Sequence, residues 1–234
     1  MNERVSYEFE ASIATITMDD GKANALSLSM QAELNAALDR AEADKAIVVL
    51  CGRVGVLCAG FDLKTLTAGG PDAVAMLMGG FKLSQRLLAF PTPVVIACGG
   101  HALAMGAFLL LSADLRIGTA GAFKLGANEV AIGLTMPHTA VEICRQRLAP
   151  AHFNRATINA EIYTPEHAVA AGFLDHVVAA THLRDTAHAA AAQLATLNLP
   201  AHAATKLRVR ANTLQAMAVA MELDAAVFAS TWNE

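Results

Sequence analysis

The chain has 234 residues, 55% of them hydrophobic and 16% charged, with a formal net charge of −4. This composition supports a sizeable core in one large domain. It argues against a nucleic-acid partner, because the densest basic run is only "KLRVR" at residues 206–210, and against a membrane span, because the longest apolar run covers residues 102–111 where ~20 residues are needed.

In chain order, "VSYEFEASIATITM" (residues 5–18) alternates and is rich in Val, Ile, Thr, Tyr and Phe. It predicts two antiparallel strands with a turn near Glu10 and Ala11. "DDGKANALS" reads as a loop. Met30, Leu34, Ala37, Leu38 and Ala41 then recur at helical spacing, with Ser27 or Ser29 able to cap the helix. "AIVVLCG" is short and wholly apolar, as expected of a strand buried in a parallel sheet. "RVGVLCAGFDL" leads through a tight turn into a short helix. Residues 71–90 form a longer amphipathic helix, with Pro71 at its start and Pro91 after its end. "TPVVIACGG" is the next buried strand, running straight into a buried helix, "ALAMGAFLLLSA"; "DLRIGT" is another strand. After Met136 the pattern turns helical, at residues 139–148, 150–158, 165–171, 183–195 and 206–228, interrupted by a strand at 174–178. The strand–loop–helix alternation predicts an α/β core with crossover connections. The helical, alanine-rich part that follows packs on that core or on a neighbouring subunit.

The N-terminal "MNERVSYEFE" is polar and mixed, without a signal-peptide pattern. Cys51, Cys58, Cys98 and Cys144 show neither a C-x-x-C pair nor metal-ligand spacing, so buried thiols in a reducing compartment are expected. The expected location is the cytoplasm.

Three glycine-bearing turns are candidates for chemistry. In "CAGFDL" a buried strand ends at a small pair and a helix opens. The free N–H groups there can bind an anion or a developing oxyanion, or the turn is simply tight and Asp62 caps the helix. In "CGGHALAMGAFLLL" small residues again open a helix after a strand, allowing a ligand close to the backbone or merely close helix packing. His101 there reads as a structural residue. In "FKLGANEVAIGLTMP", Glu129 is a lone carboxylate in apolar company. No P-loop, dinucleotide fingerprint, G-x-S-x-G or H-E-x-x-H occurs.

Taken together and in order, "KANALS", "VLCAGFDLKTL", "PVVIACGGHALAMGAFLLLSADLRI" and "FKLGANEVAIGLTMP" resemble the crotonase (enoyl-CoA hydratase/isomerase) superfamily. The resemblance implies an α/β fold of the ClpP/crotonase type: repeated β-β-α units with a helical C-terminal part. The implied division is a core at residues 1–178 and a helical trimerisation region at 179–234. It also implies an acyl-CoA thioester substrate, a homotrimer or dimer of trimers, and no cofactor beyond the coenzyme A of the substrate.

By the same resemblance, the backbone N–H groups of Phe61 and Met105 form an oxyanion hole and Glu129 carries protons. Coenzyme A lies over Lys22, Ala23, Asn24, Ala25 and Leu26 and over the turn with Ala59, Gly60, Asp62 and Leu63. Asp62 is expected to hold that turn, and Lys22 is a phosphate partner or a solvated loop lysine. Leu103, Gly106, Phe108 and Met136 adjoin the substrate. Met105 and Ala104 replace glycines of most members, which narrows the pocket or redirects the acyl chain. Hydratases of the family carry two glutamates; here the first position matches Phe108 and the second Glu129. One base suffices to move a double bond, whereas adding water is shared best between two carboxyl groups. The reading that follows is a Δ3,Δ2-enoyl-CoA isomerase. A hydratase, another thioester chemistry and a non-catalytic acyl-CoA-binding protein are its rivals.

Overall fold

The computed structural model describes residues 3–232. Its strands are β1 (Val5–Glu10), β2 (Ile13–Met18), β3 (Ile47–Cys51), β4 (Gly55–Cys58), β5 (Val94–Cys98), β6 (Gly100–Leu103), β7 (Leu115–Thr119), β8 (Leu125–Gly126) and β9 (His176–Val178). The helices are α1 (Leu28–Ala43), α2 (Leu63–Ala68), α3 (Gly70–Ala89), α4 (Met105–Leu111), α5 (His138–Arg145), α6 (Pro150–Thr157), α7 (Pro165–Ala171), α8 (Leu183–Ala195) and α9 (Leu199–Trp232). One sheet has the order β1-β2-β3-β5-β7-β9, and a smaller one the order β4-β6-β8. Apart from the β1–β2 hairpin, every pairing in both sheets is parallel.

The fully apolar strands are explained by burial on both faces. In β3, Val48 and Leu50 join the main core, while Ile47 and Val49 point the other way. There they meet Ala187 and Ala191 of α8, whose small side chains let the helix lie close on the sheet. Period-2 alternation persists but is invisible when both faces are apolar.

The expected β-β-α repeat is present. β3–β4 with α2 and α3, β5–β6 with α4, and β7–β8 with α5 each place the first strand in the large sheet and the second in the small one. This corrects the prediction of one strand running from residue 92 directly into a helix at 102. The chain breaks at Gly99, and residues 100–103 form a strand paired with β4. A Cβ at Gly100 would lie 1.9 Å from the carbonyl carbon of Gly55, so only glycine lets these strands meet.

The helical tail also differs in extent. α9 begins at Leu199, not 206, with the side chain of Asn198 accepting from Ala201 N (3.0 Å) and Pro200 in the first turn. It packs along α3 and α5 of its own chain. The two ends of the basic run are buried in that contact, while Arg208 between them is exposed. Lys206 Nζ donates to Phe90 O, Thr92 O and Asp114 Oδ2 (3.0, 2.9 and 2.6 Å), and Arg210 donates to Leu88 O at 2.8 Å. These cations close the end of α3 and present no basic patch. No helix among the described residues is long and apolar enough to cross a membrane.

Candidate active site

Three turns from distant parts of the chain meet because three parallel strands end at one edge of the small sheet. β4 delivers residues 59–62, β6 delivers 104–106 and β8 delivers 127–129. The turns are tied together by backbone bonds: Ala104 N donates to Gly126 O at 3.1 Å, Leu26 N to Gly60 O at 2.8 Å, and Ala59 N to Ala23 O at 3.0 Å. The segment 22–26 and the turn 59–63 are therefore neighbours.

Phe61 and Met105 sit at the two openings. Phe61 precedes Asp62, whose carboxylate caps α2 by accepting from Thr65 N (2.9 Å) and Thr65 Oγ1 (2.7 Å). Those two bonds hold the Asp62 carboxyl below its ordinary range. Met105 is the first residue of α4, where a helix leaves N–H groups unpaired. Neither the Phe61 nor the Met105 N–H has a hydrogen-bond partner among the described residues.

The two turns touch through glycines. A Cβ at Gly60 would lie 3.1 Å from Ala104 Cβ and 3.9 Å from Met105 N. A Cβ at Gly80 in α3 would lie 2.6 Å from the Phe61 ring and 3.3 Å from Met105 Sδ. Both side chains thus lie against the bare backbone of one helix. Met105 has no exposed surface, whereas α2 buries none of its residues and 130–135 are all exposed. Met105 is thus covered, with exposed segments that few buried contacts hold on either side of it in the chain.

Ala104 is a residue that sequence reasoning noted only as a replaced glycine. Its backbone sits at φ +49°, ψ −122°, a region that costs a residue with a Cβ on the order of 1–3 kcal/mol. Ala104→Gly is expected to stabilise the fold by ~1 kcal/mol after glycine's greater freedom in the unfolded chain is subtracted. A higher urea midpoint at unchanged slope would report it.

Glu129 opens a 3-10 turn, Val130–Ile132, and is 7% exposed. Its Oε2 is buried without a hydrogen-bond partner among the described residues. Burial pushes its carboxyl from 4.5 up to about 7, opposed only by its own backbone N–H. Cys144 of α5 lies close enough for its thiol to be raised, first by burial and then by the charge of Glu129. At the preceding residue, Asn128 Oδ1 is also buried without a hydrogen-bond partner among the described residues, a feature that sequence reasoning missed.

The residues expected to adjoin the ligand differ in exposure. Asn24 is fully buried, donating to Met18 O (2.9 Å) and Leu57 O (3.2 Å) and accepting from Asp20 N (3.0 Å). Its side chain therefore shapes the loop and has no surface to offer a ligand. Leu26 is a core residue, as is Phe108, 1% exposed. Gly106 is buried where a Cβ would lie 2.0 Å from Cys58 O. Leu26, Gly106 and Phe108 are thus packed inside the fold. Lys22, Ala23, Ala59 and Leu63 are exposed, and Ala25, Leu103 and Met136 half-buried, at surfaces a ligand can reach.

Unpaired N–H donors and one buried, protonatable carboxyl at a single sheet edge are suited to polarising a carbonyl and moving a proton beside it. The chain belongs to the enoyl-CoA hydratase/isomerase family, whose model matches residues 8–234. It is similar to a structure described as the enoyl-CoA isomerase of Mycobacterium tuberculosis, with 48% identity over 97% of this chain and 99% of that one and a TM-score of 0.93. Another structure of that mycobacterial protein is described as a probable enoyl-CoA hydratase. Human mitochondrial Δ3-Δ2-enoyl-CoA isomerase is 27% identical over 99% of this chain and 92% of that one, with a TM-score of 0.92. Among curated relatives, the probable enoyl-CoA hydratase of Bacillus subtilis is 31% identical over 134 residues, which is 56% of this chain and about half, 52%, of that one.

Proposed function

We propose that this protein is an acyl-CoA-processing enzyme of the Δ3,Δ2-enoyl-CoA isomerase type, with Glu129 as its one acid–base group. The observation that carries the reading is Glu129 itself: a buried carboxyl at the common strand edge, raised to about 7, with an oxygen left unpaired among the described residues. The N–H groups of Phe61 and Met105 hold the thioester oxygen. Glu129 takes a proton from C2, and the electron pair moves onto that oxygen as a dienolate. The same carboxyl returns the proton at C4, so the double bond moves from C3 to C2 with nothing gained or lost. Hydration needs a second group to activate water or protonate carbon, and Phe108 can do neither. Coenzyme A lies over 22–26 and 59–63, and no further cofactor is required.

The proposed assembly is a homotrimer or a dimer of trimers. It is supported by Val219, Leu223 and Val227, about half exposed along one face of α9. The proposed location is the cytoplasm.

Hydration is the second reading, favoured by the buried, unpaired Asn128 Oδ1, which could orient a water beside Glu129. The deciding experiment assays the purified protein on 3-enoyl-CoA and 2-enoyl-CoA thioesters in parallel. Isomerisation exceeding hydration by about a hundredfold is expected, the scale on which a missing acid–base partner acts. Comparable rates would overturn the one-base reading.

A further inference from the structure

The loop that carries Glu129 is anchored at two ends of very different kind. Upstream it leaves β8, which is hydrogen-bonded into the small sheet and bridged to Tyr163. Downstream, residues 130–135 are exposed until the chain enters α5. That helix has no cap of its own, because Pro137 at the N-cap position offers no side-chain acceptor. Its first two N–H groups are taken instead by Asp224, from the far end of α9. The Asp224 Oδ1 accepts from His138 N and Oδ2 from Thr139 N, both at 2.8 Å. Asp224 is 2% exposed. A carboxylate buried there, with each oxygen on a different main-chain N–H, fixes the start of α5 in two directions.

We propose that Asp224 is a positioning residue for the Glu129 loop, which makes the C-terminal helix part of the catalytic apparatus of its own chain. The inference rests on the reading of Glu129 as the proton carrier. α5 presents Cys144 to Glu129 from one side, and β8 and the small sheet hold it from the other. The titratable side chains closest in sequence to the capped turn are His138 and Glu142 on α5 and Glu222 on α9, of which His138 and Glu222 are exposed. When the cap is lost, the start of α5 frays, the exposed loop gains freedom, and water reaches the carboxyl that burial now protects.

The test compares Asp224→Ala, Asp224→Asn and Met217→Ala. Met217 is a fully buried residue of the same helix, so its truncation loosens α9 without removing the cap. For Asp224→Ala we expect faster hydrogen exchange at the His138 and Thr139 amides and a kcat lowered about tenfold with little change in KM. The acid limb of the rate profile should move about one pH unit lower as Glu129 becomes hydrated. Asp224→Asn keeps one acceptor and should move the same readouts less. Met217→Ala should lower the melting temperature and leave the acid limb in place. The proposal is overturned if both Asp224 variants keep the wild-type kcat and acid limb, or if Met217→Ala reproduces the shift. Glu129→Gln run alongside separates the two claims. Full activity there overturns the role of Glu129, whereas its loss beside normal Asp224 variants overturns only the positioning role.

Discussion

Glu129→Gln is expected to lower the rate of 3-enoyl-CoA isomerisation by about a thousandfold, with a much smaller change in KM. Glutamine keeps the shape and can donate a hydrogen bond, but it cannot accept the C2 proton. The wild-type profile should rise with pH through about 7, because burial holds the carboxyl there and only the ionised form is a base. Stability should run the opposite way. Folding raises the affinity of this group for its proton, from 4.5 to about 7. Its contribution to stability is therefore complete below about pH 4.5 and is lost as pH climbs through 7. Glu129→Gln, uncharged at every pH, should be more stable than wild type above pH 7 by up to about 3 kcal/mol. The gap should close in acid. Urea titrations at pH 4.5 and pH 8 measure both ends, and an equal difference at the two would remove burial as the cause of the raised value.

The second large effect is expected at a residue that touches no reacting atom. In Gly106→Ala the added methyl would lie 2.0 Å from Cys58 O, a main-chain atom at the end of β4. The strand cannot yield as a flexible side chain would, so the start of α4 must move away from β4. Phe61 hangs on one of these elements and Met105 on the other, so the spacing of their N–H groups changes. Loss of one well-placed donor costs about a hundredfold or more in kcat, and the overpacking about 1–3 kcal/mol in stability. A steady-state assay with a melting curve tests both. Wild-type kcat in a folded Gly106→Ala protein would show that the two turns do not act as a unit.

How much of this could be read in advance depends on whether the signal is local. Ser27 does cap α1, accepting from Met30 N at 3.2 Å, as a serine before a helical run should. Asp62 caps α2 likewise, and Pro71 stands in the first turn of α3. β6 is split by the expected elements, with Gly100 in the strand and Ala102 and Leu103 in the helix, because four residues of "GHAL" are too few for either period to show. β8, two residues long, had no signal at all. The helical spacing over 206–228 does not reveal that α9 starts at Leu199, where Asn198 accepts from Ala201 N and Pro200 stands in the first turn. Among the site residues, Glu129 stood out as a charge without company. The cap by Asp224 could not, since an aspartate within a helix looks like any solvated carboxylate until the fold brings α5 to it from 85 residues away. The buried ends of "KLRVR" escaped for the same reason: a lysine and an arginine read as surface until their carbonyl partners are known.

The common edge of the small sheet also bears on how such a protein can change. The turns after β4, β6 and β8 hold the groups proposed to act on the substrate, while the ladders behind them are made by main-chain atoms that care little for side-chain identity. Each turn is in effect a replaceable cassette in a fixed frame. A library that varies 59, 61, 104–105 and 127–129 together, leaving Gly60, Asp62, Gly100 and Gly106 untouched, would explore new reactions while retaining the contacts that hold the frame. Chemistry and architecture are encoded in separable stretches of this chain, and that separability is itself a consequence of three strands stopping side by side.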